Sequence, residues 1–277
     1  MENPVRNLDT SQLHISYSQI FTYLACSLKY QFRYVLSRPP ERISLALVFG
    51  SALHKALERY YRSYANGVTE RLDILQDLFA EVLTRQIEEK PDLVVYTKQT
   101  PDTESAIALG TAMLKAFYES IDLKGFKIVA TELCLSAVLY TDQAEPTDFH
   151  LVGAIDLLLK DPAGNLLVVD HKSAARTKTQ ADVDADLQMT AYSYLLCANR
   201  YLFPTAPVKC RFDVLRKLKT PTLEHYHTQR TADDRRRLAR IATQVLKGIE
   251  AKIFVPSRSW LCTDCEYAGA CTDWHRF

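Results

Sequence analysis

The spacing of apolar residues changes character along the chain. Ser16 stands where a helix cap belongs, ahead of the aromatic-rich run YSQIFTYLACSLKYQFRYVL. Beyond Pro39-Pro40, helical periodicity predicts helices over about Leu45–Tyr64, Arg71–Glu89 and Thr103–Ile121. The period then drops towards two. Lys127–Tyr140 reads as a strand, and Val152–Ala174, VGAIDLLLKDPAGNLLVVDHKSA, as a hairpin. A helix follows over Asp182–Tyr201, then strands over Val208–Leu215 and Leu223–Thr228. A basic amphipathic helix over Thr231–Lys252 precedes the tail WLCTDCEYAGACTDW. This order predicts one α/β domain over residues 1–277, with a helical insertion at about 66–125 and a Cys-rich cap at about 256–277.

The hairpin carries the first chemical signal. Asp161-Pro162-Ala163-Gly164-Asn165 has turn composition, and folding about Ala163 sets Asp156 opposite or nearly opposite Asp170. Lys172, two residues on, shares the face of Asp170. Two carboxylates that close repel each other, and burial adds a desolvation cost. A divalent cation relieves both, and hard oxygen donors suit Mg2+ or Mn2+. Lys172 could then orient or help deprotonate a water, or stabilise charge on a phosphate. A structural Asp–Lys ion pair at a sheet edge is the alternative.

Composition narrows the field only slightly. Among 277 residues, 47% are hydrophobic and 24% charged, with a formal net charge of +1, so any basic surface must be a local patch. No apolar stretch is long enough to span a bilayer, MENPVRNLDT lacks signal-peptide features, and seven cysteines point to a reducing, cytoplasmic setting. Cys262-x2-Cys265-x5-Cys271 supplies three of the four thiolates usual for an iron–sulfur cluster or a structural zinc site. Cys26 is the candidate for the fourth, with His275 competing, while Cys134, Cys197 and Cys210 read as core cysteines.

Two further segments join the hairpin in order: GSALHKALE at Gly50–Glu58, and LQMTAYSYL, which holds Gln188-x-x-x-Tyr192. Together with GAIDLLL and LLVVDHKSA, they resemble the motifs of the PD-(D/E)xK nucleases of the RecB type, over Tyr17 to Cys271. The resemblance implies a restriction-endonuclease-like core with a central mixed β-sheet. It implies that His54, Asp156 and Asp170 hold Mg2+ or Mn2+, with the Val169 or His171 carbonyl as a further ligand. Lys172 would then assist the attacking water, and Gln188 and Tyr192 would position that lysine or the DNA backbone. Asp170 stands where many superfamily members carry Glu. Glu132, on the preceding strand, reads as a framework residue that could add an oxygen ligand. A subset of RecB-type nucleases, the CRISPR adaptation nuclease among them, binds a [4Fe–4S] cluster through one N-terminal and three C-terminal cysteines. That arrangement implies the same for Cys26, Cys262, Cys265 and Cys271, with zinc as the alternative.

The resulting expectation is a metal-dependent deoxyribonuclease, an exonuclease on single-stranded or end-bearing DNA, serving repair, recombination or mobile-element defence. A separate helicase or a recombination or CRISPR-adaptation protein would be its partner, since no P-loop motif occurs in the chain. A non-catalytic nucleic-acid-binding scaffold and a zinc-stapled regulatory protein are the competing readings. Phosphate contacts are sought at Lys209, Arg211, Arg216, Lys217 and Lys219, and at Arg235, Arg236, Arg237 and Arg240. Base stacking is sought at Tyr30, Phe32 and Tyr34, but for most of these cations and rings a solvated helix face, or packing under the Cys-rich cap, is the preferred reading.

Overall fold

The computed structural model describes residues 12–276. A short strand β1 (His14–Ser16) leads directly into α1 (Tyr17–Ala25), and Ser16 caps it as expected. Ser16 Oγ accepts from the Gln19 amide, while Gln19 Oε1 accepts from the Ser16 amide, a reciprocal capping box. The single long helix expected here is broken at Cys26, whose backbone is extended. The chain resumes as α2 (Ser27–Tyr30) and runs on through a wider turn over Gln31–Val35. The tail causes this interruption. The Leu28 amide and the Ser27 hydroxyl both donate to the Val255 carbonyl, so the segment after the last long helix competes for the α1–α2 junction.

Next come β2 (Ile43–Ser44), α3 (Leu45–Ala65), α4 (Leu72–Glu88), β3 (Val94–Val95) and α5 (Thr103–Ser120). β2 and β3 form a small parallel ladder that sequence periodicity did not mark. A Cβ on Gly110 of α5 would lie 2.0 Å from Phe79 Cε1, so the close approach of α4 and α5 requires glycine there.

The central mixed sheet holds β1 together with β4 (Lys127–Tyr140), β5 (Pro146–Lys160), β6 (Leu166–Ala174), β7 (Val208–Arg216) and β8 (Leu223–Arg230). β4–β5, β5–β6 and β7–β8 are antiparallel, and β6–β7 is parallel. Between β6 and β7 run α6 (Gln180–Ala185) and α7 (Leu187–Ala198). After β8 come α8 (Ala232–Glu250) and the short α9 (Ala268–Trp274). The helix expected over Asp182–Tyr201 is two helices, parted at Asp186. Buried Arg230 donates to the Val183 and Asp186 carbonyls and fixes that break.

The uninterrupted apolar runs of β5 and β6 are explained by burial on both faces. Leu157, Leu159, Leu167 and Val169 face α3, α4 and α5. Leu158 and Val168 face the core shared by α1, α7 and α8. Taking each such side chain out of water contributes about 1.5–3 kcal/mol. Among the described residues no helix is long and apolar enough to cross a membrane.

A fork in the sheet positions the charged residues of β5 and β6. The β5–β6 ladder runs only from Lys160↔Leu166 to Leu157↔Val169. Further along the same edge of β5, residues His150–Val152 pair with β1 instead, because β4 already occupies the other edge at those positions. β5 therefore changes partner between Val152 and Leu157, and the sheet forks. Asp156 lies at that fork, and continuing the hairpin register by one step sets it opposite Asp170.

Candidate functional site

At the fork, β5 and β6 supply three charged side chains and α7 locks two of them. Asp170 is 1% exposed. Lys172 Nζ lies 2.7 Å from Asp170 Oδ2 and donates to Gln188 Oε1 at 3.0 Å. Gln188 Nε2 donates to Asp170 Oδ1 at 2.8 Å and to the Tyr192 hydroxyl at 2.7 Å. Asp186 caps α7 by accepting from the Gln188 amide, which fixes where this helix begins. Gln188 and Tyr192, four residues apart, then share the face towards the sheet. Lys172, Asp170, Gln188 and Tyr192 thus form one bonded group.

The electrostatics are those of a charge cluster held out of water. Burial and neighbouring Asp156 push the Asp170 carboxyl up, against the pull of Lys172. Burial works against the ammonium of Lys172, yet Asp170 and Asp156 hold its pKa above the usual lysine value. Burial likewise disfavours ionised Asp156, but His54, His171 and Lys172 hold its carboxyl well below the ordinary range. The His171 amide donates to Asp156 Oδ2 at 2.8 Å, and His54 Nδ1 lies 3.4 Å from the same oxygen.

Two tests bear on a divalent cation. Among the described residues, His54, Glu132 and Asp156 form the one trio of His, Cys, Asp or Glu donors within 4.8 Å of one another. Asp170 is not one of the three, but its buried Oδ2 accepts no hydrogen bond of good geometry among the described residues. One imidazole with several carboxylate oxygens is a donor set for Mg2+ or Mn2+. The residues present fit such an ion. Glu132, read from sequence as a framework group, joins the site. Burial, Asp156 and Glu58 raise its carboxyl pKa to about 7.

Sequence reasoning also missed a set of polar groups behind the site, on the α3 side of the sheet. His171 is 4% exposed, with Nδ1 3.6 Å from Asp156 Oδ2 and Nε2 3.3 Å from the Tyr61 hydroxyl. Its register neighbour on β7 is Asp213, which is fully buried and paired with Arg211 and His225. The available signal was alternation: the His of Asp-His-Lys must face opposite to both its neighbours.

Several of the candidate phosphate and base contacts are buried, and others are exposed but ion-paired. Arg211 and Arg216 are buried, bound to Asp213 and Glu224. Arg235 is buried and donates to Ser193 Oγ and to the Pro204 and Ala206 carbonyls. Arg236 and Arg240 pair with Asp233 and Asp142, and Lys209 with Asp161. Lys217 lies over the Phe49 ring, 4.2 Å from its centroid, and burial lowers its pKa to about 8. Tyr30 and Phe32 are buried, so neither offers an open stacking face.

The cysteines lie at a second place. Cys26, Cys262, Cys265 and Cys271 all line one cavity of about 470 Å³, and His275 lines it too. Leu28, Phe32, Tyr267 and Ala270 pack against three of the thiols. The cap is tied to the N-terminal helices. Lys29 bonds Glu266 at 2.6 Å, and the Glu41 carboxylate accepts from the Gly269 and Ala270 amides. Cys26 reaches the cavity because the helix breaks there. Cys197 and Cys210 are buried as expected, whereas Cys134 is half-buried.

The family model of the PD-(D/E)XK nuclease superfamily matches residues 14–272. A crystal structure from Eubacterium rectale, described as "Putative exonuclease", is similar at TM-score 0.58 and 11% identity, over 99% of this chain and 92% of that one. That likeness shows a shared fold, a restriction-endonuclease-like sheet flanked by helices. The structure of SSO0001 aligns over 89% of this chain and 94% of that one at 16% identity, but its TM-score of 0.34 carries no weight. No curated protein sequence matches the chain.

Proposed function

The chain belongs to the PD-(D/E)XK nuclease superfamily, and on that premise we propose that it is a metal-dependent DNA nuclease. The observation that carries this reading is the cluster at the sheet fork, where Asp156, Asp170, Lys172 and Gln188 meet beside His54. His54, Asp156 and Asp170 would hold Mg2+ or Mn2+. A divalent cation in such a site supplies Lewis-acid stabilisation of a phosphoryl oxygen and lowers the pKa of water.

The side chains of the site have separable tasks. Lys172 would stabilise charge on the phosphate or assist the attacking water. Gln188 grips Asp170 with its amide nitrogen and Lys172 with its amide oxygen, so it sets the distance between them. The Tyr192 hydroxyl, 3.4 Å from Asp170 Oδ1, closes the inner side against water. Exonuclease action on single-stranded or end-bearing DNA is the finer part of the proposal, in repair, recombination or mobile-element defence with a separate helicase or adaptation protein.

A [4Fe–4S] cluster on Cys26, Cys262, Cys265 and Cys271 would staple the two ends of the fold. Support comes from the shared cavity. Tetrahedral zinc, with Zn–S of about 2.3 Å, needs sulfurs about 3.8 Å apart. Zinc on the same thiols is the alternative, and the iron and zinc content of the protein separates the two.

The direct test is incubation with end-labelled single- and double-stranded DNA in Mg2+ or Mn2+. Labelled ends should be released or shortened with either metal and left intact in EDTA. Undiminished cleavage in EDTA would remove the metal from the account, and no cleavage of any DNA with either ion would remove the activity.

A further inference from the structure

Glu132 is an anomaly in the middle of β4. Its neighbours Thr131 and Leu133 pair in regular register with Leu157 and Ile155 of β5, so Glu132 falls opposite Asp156. Its own backbone, however, is left-handed, with φ of 49°. A side chain other than glycine avoids that region, and a strand gives no reason to enter it. Residues held there persist only where the surroundings enforce it, and they cluster at functional sites.

The carboxylate is unusual as well. It is half-buried, yet makes no hydrogen bond or ion pair among the described residues. The nearby cations are already engaged: Lys55 and Arg62 both bind Glu58. One oxygen of Glu132 instead comes within 4.8 Å of donor atoms of both His54 and Asp156. Burial, Asp156 and Glu58 oppose its ionised form more than Lys55 and His171 favour it. A shared cation removes the repulsion and uses the otherwise idle oxygen.

We infer that Glu132 is a ligand of the divalent cation, a carboxylate set by its place opposite Asp156 beside the position flanked by His54 and Asp156. This deepens the proposed metal centre and rests on it. Three donors from three elements, α3, β4 and β5, then surround the ion, and Asp170 completes them from β6. Its register opposite Asp156 sets the two side chains on one face of the β4–β5 pair, so strand pairing itself brings β4 to the site.

Binding of Mn2+ without DNA tests the assignment, followed by calorimetry or by the free-ion resonance signal. Wild type, Glu132→Gln and Glu132→Gly are compared. The glutamine keeps size and backbone but loses the charge. The glycine adopts the left-handed conformation freely and so separates ligation from strain. Loss of a ligand should weaken Mn2+ binding by about tenfold or more in both variants, at least the cost seen for outer-shell groups. If wild type binds Mn2+ and both variants bind it equally well, Glu132 is not a ligand and the rest of the centre stands. If only the glutamine variant weakens, packing is responsible and the inference fails. If wild type binds no Mn2+, the metal centre and this inference fall together.

Discussion

In metal-free protein, Glu132→Gln should change stability in a pH-dependent way with a definite sign. Burial, Asp156 and Glu58 raise the Glu132 carboxyl to about 7 from an ordinary value of 4.5. The folded chain therefore holds this proton more tightly than the unfolded chain. Below about pH 4.5 both states are protonated and no cost arises. Between about 4.5 and 7 the unfolded chain releases the proton first, so stability falls as pH rises. Above about pH 7 the full cost is present, about 3 kcal/mol at about 1.4 kcal/mol per tenfold change. Glutamine carries no such titration. Whatever offset the amide adds, the stability of the variant relative to wild type should rise by about 2–3 kcal/mol between pH 5 and pH 8. In melting temperature, at roughly 2–4 °C per kcal/mol for a chain of this size, that is several degrees. Thermal or urea unfolding of both proteins in EDTA at the two pH values measures it. An offset that is the same at both would refute the claim that Glu132 is a strained, partnerless carboxylate.

Other expectations follow from single contacts. Lys172→Met should lose cleavage while retaining Mn2+ affinity, checked by activity and calorimetry on the same preparation, because the ammonium faces Asp170 and Gln188 and is not a metal ligand. Arg235→Met should cost about 3 kcal/mol in urea unfolding, as buried acceptors lose a charged donor, and should leave the salt dependence of DNA binding unchanged. Cys26→Ala should lose as much iron from anaerobically purified protein as Cys262→Ala, whereas Cys210→Ala should lose none, because Cys210 is buried in the core shared by α7 and α8.

Legibility differed between parts of the molecule for physical reasons. The hairpin register could be read because Asp161 to Asn165 admit one tight turn, and strand alternation does the rest. The Gln188 and Tyr192 pairing followed from helical spacing alone. The breaks at Cys26 and Asp186 could not be read, since each is imposed by a partner more than 40 residues away, Val255 in one case and Arg230 in the other. β1 was hidden because three residues carry no period, and its pairing with β5 is what opens the fork. Glu132 looked like any strand carboxylate, because a left-handed backbone leaves no mark in the sequence. The arginines misled in the opposite sense. Arg211, Arg216 and Arg235 look like surface charge in a linear chain, and the fold turns them inward onto Asp213, Glu224 and backbone carbonyls.

The central claim is that the fork between β5 and β6 is a metal-dependent phosphodiesterase site. Asp170→Asn tests it most directly, because the change removes one charge, preserves volume and keeps an acceptor for Gln188. Wild type and variant are incubated with end-labelled DNA and Mn2+ after circular dichroism shows equal folding. The account predicts cleavage by wild type that EDTA abolishes, and a loss of at least about a hundredfold in the variant, the scale of removing one preorganised electrostatic group. A folded Asp170→Asn protein that cleaves at the wild-type rate would contradict it.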